Sequence, residues 1–86
     1  MRVDSFLKYS LIVKDRETAK SFIKEERVWL NDNPAKPSSN IEDGDFLMLF
    51  YTKNILVVKA DIKKENEKII VGAKLIKRYK RKAFSC

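Results

Sequence analysis

The chain contains no histidine, and its single cysteine, Cys86, is the last residue of the sequence. An internal disulfide is therefore excluded, and the usual zinc sites built from cysteine and histidine cannot be assembled. Histidine is also the side chain best suited to acid-base catalysis near neutral pH. With two glycines in all, the sequence has no glycine-rich phosphate loop. We therefore expect no metal and no cofactor, and we expect that the protein is not an enzyme.

Long apolar runs are also missing. No run approaches the roughly 20 residues that a membrane-spanning helix requires, and the first residues carry charges instead of the hydrophobic stretch of a signal peptide. A cytoplasmic protein is the expectation. The 86 residues, 44% of them hydrophobic, are enough for one small domain with a modest core.

Positive charge is abundant but unevenly distributed. Residues 1–43 hold eight basic and eight acidic residues, whereas residues 44–86 hold eleven basic and four acidic ones, so the second half carries the whole net charge of +7. A small chain with this local excess is expected to be attracted to polyanions, chiefly nucleic acid or anionic lipid.

The first residues predict a short amphipathic helix. Val3, Leu7 and Leu11 recur at helical spacing, and Phe6 joins them on the same apolar stripe. Asp4 is suited to be the N-cap of this helix, since its carboxylate can accept a hydrogen bond from an amide of the first turn. The other role open to Asp4 is a partner that orients a neighbouring arginine.

A second helix is predicted after a short bend. Ala19, Phe22 and Ile23 repeat the apolar spacing, and Asp15 stands at the N-cap position. Arg16 would be the first helical residue, so that the cations four and eight residues later line the helix face opposite to the apolar one.

The rest of the chain predicts strands and then a final helix. Residues 27–31 alternate as in a strand, and residues 46–51 and 55–62 form two strand-like runs that make a hairpin. Residues 63–68 are expected to be a charged loop. Val71, Leu75, Ile76 and Tyr79 then predict a helix over residues 73–82, and six of the nine residues from 74 to 82 are lysine or arginine. Gly72 and the preceding Ile69-Ile70-Val71 leave room for a short strand before this helix.

Five segments, together with Leu7, Val28 and Asn31 between them, resemble the S4 (alpha-L) RNA-binding domain of small stand-alone proteins, the heat-shock ribosome-associated and ribosome quality-control group. The segments are Arg2-Val3-Asp4, Lys14-Asp15-Arg16, Ala19-Lys20, Ala35-Lys36-Pro37-Ser38 and Val71-Gly72-Ala73-Lys74-Leu75. The resemblance implies an α+β fold, with two N-terminal helices packed on a small, mostly antiparallel sheet and a basic C-terminal helix. Residues 1–52 would be the alpha-L domain, and residues 53–86 an extension of the same compact domain. Glutamates replace the glycines that family members carry near the end of the second helix, and Asp32 replaces one in the following turn.

The resemblance also implies that the cations at positions 2, 14, 16 and 20 face RNA phosphates. A second basic surface is predicted on the C-terminal helix, where Tyr79 and Phe84 either stack on bases or, for Tyr79, complete the core. Trp29 points outward from its strand and either covers a helix edge or offers a stacking surface. The predicted RNA-binding residues are Arg2, Lys14, Arg16, Lys20, Arg27, Lys36, Lys74, Lys77, Arg78, Lys80 and Arg81.

The leading hypothesis is a monomeric, non-catalytic protein that binds large-subunit ribosomal RNA and tRNA on stalled large ribosomal subunits, in rescue or quality control. The alternative is a general cationic adaptor, held to a membrane surface or another polyanion by an interfacial C-terminal helix. Deletion of the residues after Gly72 separates these hypotheses, because only the adaptor would lose all binding. A binder of double-stranded DNA ranks third, since the spacing of a helix-turn-helix with a glycine turn is absent.

Overall fold

The computed structural model describes residues 1–81, which form two helices and one five-stranded sheet. The elements are α1 (Val3–Tyr9), α2 (Arg16–Lys24), β1 (Val28–Leu30), β2 (Asn33–Pro34), β3 (Phe46–Phe50), β4 (Asn54–Glu65) and β5 (Lys68–Lys80). The strands lie in the order β2-β1-β3-β4-β5, and every neighbouring pair is antiparallel. The predicted α+β class, with two helices beside an antiparallel sheet, is confirmed.

Both helices cover one face of the sheet. The alternation along β3 places Leu47 and Leu49 on this face, where each is at most 1% exposed, and their cross-strand partners on β4 are Val58 and Leu56. The buried apolar side chains are Val3, Phe6, Leu7, Ala19, Ile23, Val28, Ala35, Ile41, Leu47, Leu49, Val58 and Ala60. Because the helices bury one side only, no part of residues 1–81 forms a covering layer on the opposite face of the sheet.

Helix α1 is shorter than its apolar pattern predicts. It ends at Tyr9, and Leu11 then adopts a positive φ of 64° and is 87% exposed, so the prediction that Leu11 belongs to the apolar stripe was wrong. The amides of Ile12 and Val13 both donate to the carbonyl of Leu7, at 3.1 and 3.2 Å, which closes the turn at the helix end. This early turn brings the N-terminus of α2 beside α1.

The predicted basic C-terminal helix is not formed. Residues 68–80 instead make β5, which pairs with β4 from Glu65 opposite Lys68 to Asn54 opposite Lys80. The register shifts between Val57 and Val58, so that Ile76 is an extra residue on β5 and the side chains beyond it change faces. This bulge breaks the alternation of the strand and leaves an apolar spacing that imitates a helix. Lys82, Phe84 and Cys86 lie outside the described residues.

Tight turns connect two of the strand pairs. Asn31 and Asp32 between β1 and β2, and Asn66 and Glu67 between β4 and β5, all have positive φ. Two consecutive residues of positive φ are typical of type I′ turns, whose twist matches that of the flanking strands. The residues predicted to be a charged loop therefore form the tip of a long hairpin, and the described chain extends over 53 × 25 × 22 Å.

Candidate RNA-binding surface

A buried aspartate fixes Arg2 at the beginning of α1. Nε and Nη2 of Arg2 donate to Oδ1 and Oδ2 of Asp4, each at 3.1 Å. The side chain of Asp4 is 1% exposed, whereas that of Arg2 is 57% exposed. Asp4 is therefore not the N-cap, a position that Arg2 occupies. The alternative role is confirmed, since the carboxylate orients the Arg2 guanidinium while leaving its other donors directed to solvent.

Arg16 is held beside Arg2 by the next residue of α1. The amide of Ser5 donates to Asp4 Oδ1 at 2.8 Å, and its hydroxyl accepts a hydrogen bond of 3.0 Å from Nη2 of Arg16. Arg16 is the first residue of α2, whose start is fixed because Asp15 accepts a 2.7 Å hydrogen bond from the amide of Thr18. A continuous set of hydrogen bonds thus joins the two arginines across the helix pair.

Nearby cations also affect the pKa of Asp15, the N-cap residue of α2. The hydrogen bond from the Thr18 amide lowers the pKa of the Asp15 carboxyl below its ordinary value, and the positive charges of Lys14 and Lys8 lower it further. Lys14 and Lys8 therefore lie close enough to the start of α2 to contribute to the same positive potential.

Arg2 and Arg16 line one open cleft between α1 and the β4–β5 hairpin. Its volume is about 670 Å³, and its other lining residues are Met1, Ser5, Tyr9, Ile62, Lys64 and Ile69. Lys64 was not among the predicted binding residues, because residues 63–68 were interpreted as a loop. Ile62 and Lys64 are two residues apart on β4 and share the face that meets α1. Alternation that continued from residues 55–62 was the signal that could have identified this lysine.

The other predicted cations near the helices lie outside this cleft. Lys14 and Lys20 are exposed, and Lys20 follows Arg16 by one turn on the same face of α2. Arg27 lies elsewhere, because its Nε is 3.2 Å from Glu25 Oε2 and its guanidinium is 5.9 Å from the centre of the Phe22 ring. These contacts hold Arg27 against the protein surface.

Lys36 lies in the loop that supports the start of α1. The carbonyls of Pro37 and Ser39 accept hydrogen bonds from the amides of Asp4 and Val3, at 3.4 and 2.9 Å. The Lys36 side chain is exposed beside this support. The loop therefore connects Lys36 to the helix start that carries Arg2.

The C-terminal cations do not form one surface. Lys77 opposes Val57 on the uncovered face, whereas Arg78 opposes Leu56 on the helix-covered side. The remaining predicted cations divide in the same way, with Lys74 on the uncovered face and Lys80 on the other. Arg81 follows the strand, and its Nη1 donates to the Tyr51 carbonyl at 2.9 Å. The alternative of an adaptor with an interfacial basic helix therefore lacks its helix.

Two features are absent from residues 1–81. No group of three or more aspartate, glutamate, histidine or cysteine side chains is placed to hold a metal ion. Among the same residues, no helix is long and apolar enough to cross a membrane.

The two helices on an antiparallel sheet, with two arginines fixed between them, define an alpha-L domain. Residues 1–47 match the family model described as the S4 domain. The RQC P-site tRNA stabilizing factor of Bacillus subtilis is 35% identical over 68 residues, which cover 79% of each chain. The protein of the same name from Listeria innocua is also 35% identical over 68 residues, covering 79% of this chain and 74% of its own.

A solved structure shares the fold. It is described as the trimeric structure of Vibrio cholerae Heat Shock Protein 15, and it superposes with a TM-score of 0.68 at 22% identity, covering 79% of this chain and 69% of the other. The chain therefore belongs to the S4 domain family and, within it, to the family of RQC P-site tRNA stabilizing factors.

Proposed function

We propose that this chain is a non-catalytic, cytoplasmic RNA-binding protein that acts in ribosome quality control. Its RNA would be large-subunit ribosomal RNA together with the tRNA of a stalled nascent chain, bound on the large ribosomal subunit. The names of its relatives, which are P-site tRNA stabilizing factors, support the tRNA. The S4 domain match supports RNA binding through the helix pair.

The pre-organisation of Arg2 and Arg16 is the observation that carries this proposal. Each guanidinium is directed by a hydrogen bond to α1, and both line the same cleft. A planar guanidinium with free donors can bind a phosphate through two parallel hydrogen bonds. Since both arginines are already ordered, less side-chain entropy is lost on binding than for freely rotating cations.

The charges that line the cleft suit a nucleic acid backbone. Arg2 and Arg16 lie on its helix side, and Lys64 faces them from β4. A phosphate backbone that follows the cleft would meet cations on both walls. Lys14 and Lys20 extend the positive surface along α2, so about five phosphate contacts are within reach of this side of the molecule.

Co-sedimentation with stalled large ribosomal subunits in a sucrose gradient tests the proposal. The wild-type chain should migrate with the subunits at low salt and be released as salt rises. About five phosphate contacts predict a slope of roughly −3 to −5 for the logarithm of the association constant against the logarithm of the salt concentration. A chain that stays at the top of the gradient at low salt would contradict a ribosomal role.

Charge reversal at one arginine tests the site itself. Arg16→Glu should abolish co-sedimentation, whereas Lys53→Glu, which changes the net charge equally in the exposed turn between β3 and β4, should retain it. Thermal unfolding of both variants checks that they remain folded. Equal loss in both variants would show that net charge, and not the cleft, is responsible.

We further propose that the chain acts as a monomer. Sedimentation equilibrium of the free protein should then give a single species near 10.1 kDa at all concentrations.

A further inference from the structure

The uncovered face of the sheet carries three cross-strand rows of side chains. Phe50, Ile55 and Tyr79 form the first row across β3, β4 and β5. The second row runs from β1 to β5 and contains Trp29, Met48, Val57 and Lys77. The third row contains Phe46, Lys59 and Lys74. Four aromatic rings and three lysines are thus brought to one face by strands that are distant in sequence.

The rings of this face are available to a ligand. Phe46 and Tyr79 are each 44% exposed, and together with Met48 and Val57 they line one shallow depression. Trp29 is half-buried against Phe50, with the ring centres 6.0 Å apart, and its Nε1 donates to the carbonyl of Glu26. A contiguous exposed surface of this kind on a small domain indicates a binding site.

The lysines are placed against the exposed rings. Lys59 Nζ lies 5.9 Å from the centre of the Phe46 ring, and Lys77 Nζ lies 4.9 Å from that of Tyr79. Lys74 lies beside Lys59 in the third row. Carboxylates also border this face, since Asp43 and Asp61 line a shallow pocket with Lys59 and Lys74, and Asp32 lines the aromatic depression. The cations in direct contact with the exposed rings are Lys59 and Lys77.

We propose that this face is a second RNA site, which binds unpaired nucleotides. Bases would stack on Phe46 and Tyr79, because every base offers a π-face to an aromatic ring. The phosphates between them would meet Lys59, Lys74 and Lys77. A second copy of this chain fits the face less well, since a two-fold contact would bring like-charged lysines together.

This inference goes beyond the proposed function. Arg2 and Arg16 lie on the helix side of the sheet, whereas these rings lie on the opposite side. One molecule could therefore hold a structured RNA in the cleft and an unpaired segment on the sheet. A substitution that abolishes RNA binding at one site is expected to leave binding at the other site unchanged.

Fluorescence of Trp29, the only tryptophan of the chain, provides a direct test. Titration of the full chain with a short oligouridylate should quench this fluorescence in a saturable manner. Three lysine contacts predict a salt slope of about −2 for a single strand. Absence of quenching at low salt would overturn the proposal.

Substitutions on the two faces of the sheet provide the matched comparison. Tyr79→Ser, and separately Phe46→Ser, should each weaken oligouridylate binding about tenfold. Leu75→Ser, at a 56% exposed residue on the opposite face of β5, should leave the affinity unchanged. An equal loss in Leu75→Ser would overturn the proposal.

Two further results separate this site from its alternatives. Arg16→Glu should retain oligouridylate quenching, and a loss there would assign the unpaired RNA to the helix-side cleft instead. Sedimentation equilibrium of the free protein checks for self-association. A dimer of the wild-type chain that is lost in Tyr79→Ser would assign the face to a second copy and overturn the RNA proposal.

Discussion

Replacement of Asp4 by asparagine tests how the binding surface is organised. The carboxylate accepts three hydrogen bonds, from Arg2 Nε, Arg2 Nη2 and the amide of Ser5. Asparagine has nearly the same shape but offers one oxygen, and its NH₂ group would face a donor. At least one hydrogen bond to a charged group is therefore lost at a side chain that is 1% exposed.

The expected decrease in the free energy of unfolding follows from the burial of Asp4 and Arg2. Hydrogen bonds to charged groups contribute about 1.5–3 kcal/mol each. Because Arg2 is 57% exposed, water can replace part of its lost interaction, and we expect the lower end, about 1.5–2 kcal/mol. In a domain of 86 residues this corresponds to a decrease in Tm of roughly 6–15 °C.

Thermal unfolding followed by circular dichroism measures this effect. The matched control is Asp61→Asn, which makes the same chemical change at an exposed position and should alter the free energy of unfolding by less than about 0.5 kcal/mol. A double-mutant cycle with Arg2→Met should show that the two substitutions are not additive. If Asp4→Asn melts within about 2 °C of the wild-type protein, the buried carboxylate does not organise Arg2.

Three further predictions concern backbone strain and pH. Glu26 has a φ of 58°, so Glu26→Gly should raise the free energy of unfolding by about 1 kcal/mol in chemical denaturation, and a decrease would show that this turn is unstrained. Glu67, with a φ of 66°, lies in the type I′ turn at the hairpin tip, and Glu67→Gly should raise the free energy of unfolding by a similar amount, about 0.5–1 kcal/mol, in the same denaturation experiment. The hydrogen bond from Thr18 lowers the folded-state pKa of Asp15, so its stabilising effect is complete above the ordinary value of 3.8 and is lost as pH falls through the lowered pKa. The Tm of Asp15→Asn should therefore decrease less steeply below pH 4 than that of the wild-type protein. An equally steep decrease in this variant would exclude Asp15 as the cause of the acid destabilisation.

The helices and central strands were predictable because their signals are local. Val28 and Leu30 alternate with outward-facing residues, and Asp15 precedes an apolar spacing of helical type. Burial follows these patterns in the structure, and β3 lies at the centre of the sheet. The outward direction of Trp29 followed from the same alternation.

The incorrect predictions concern segments whose structure depends on residues that are distant in sequence. β5 takes its conformation from pairing with β4 along its whole length, and the bulge at Ile76 hides the alternation that would have indicated a strand. Asp4 occupies a site that a capping residue could take, but its partner Arg2 determines its role. Alternation that continues from residues 55–62 places Lys64 on β4, but its position in the cleft depends on the distant helix α1.

The candidate site was predictable in part. The resemblance placed Arg2 and Arg16 on the helix pair, and the structure brings both to one cleft. Their contact with RNA stays a prediction, as does that of Lys14 and Lys20. The single basic surface predicted for the C-terminal segment depended on a helix, and a strand divides its cations between two faces.

Lysine acylation in the complex tests the central claim most directly. The chain, alone and bound to stalled large ribosomal subunits, would be acylated briefly, and mass spectrometry would quantify each lysine. RNA bound in the helix-side cleft and along the positive surface of α2 predicts protection of Lys14, Lys20 and Lys64, which are exposed in the free protein, while Lys53 stays reactive. Full reactivity of Lys14 and Lys64 in the bound state would contradict the proposal that this cleft holds the RNA.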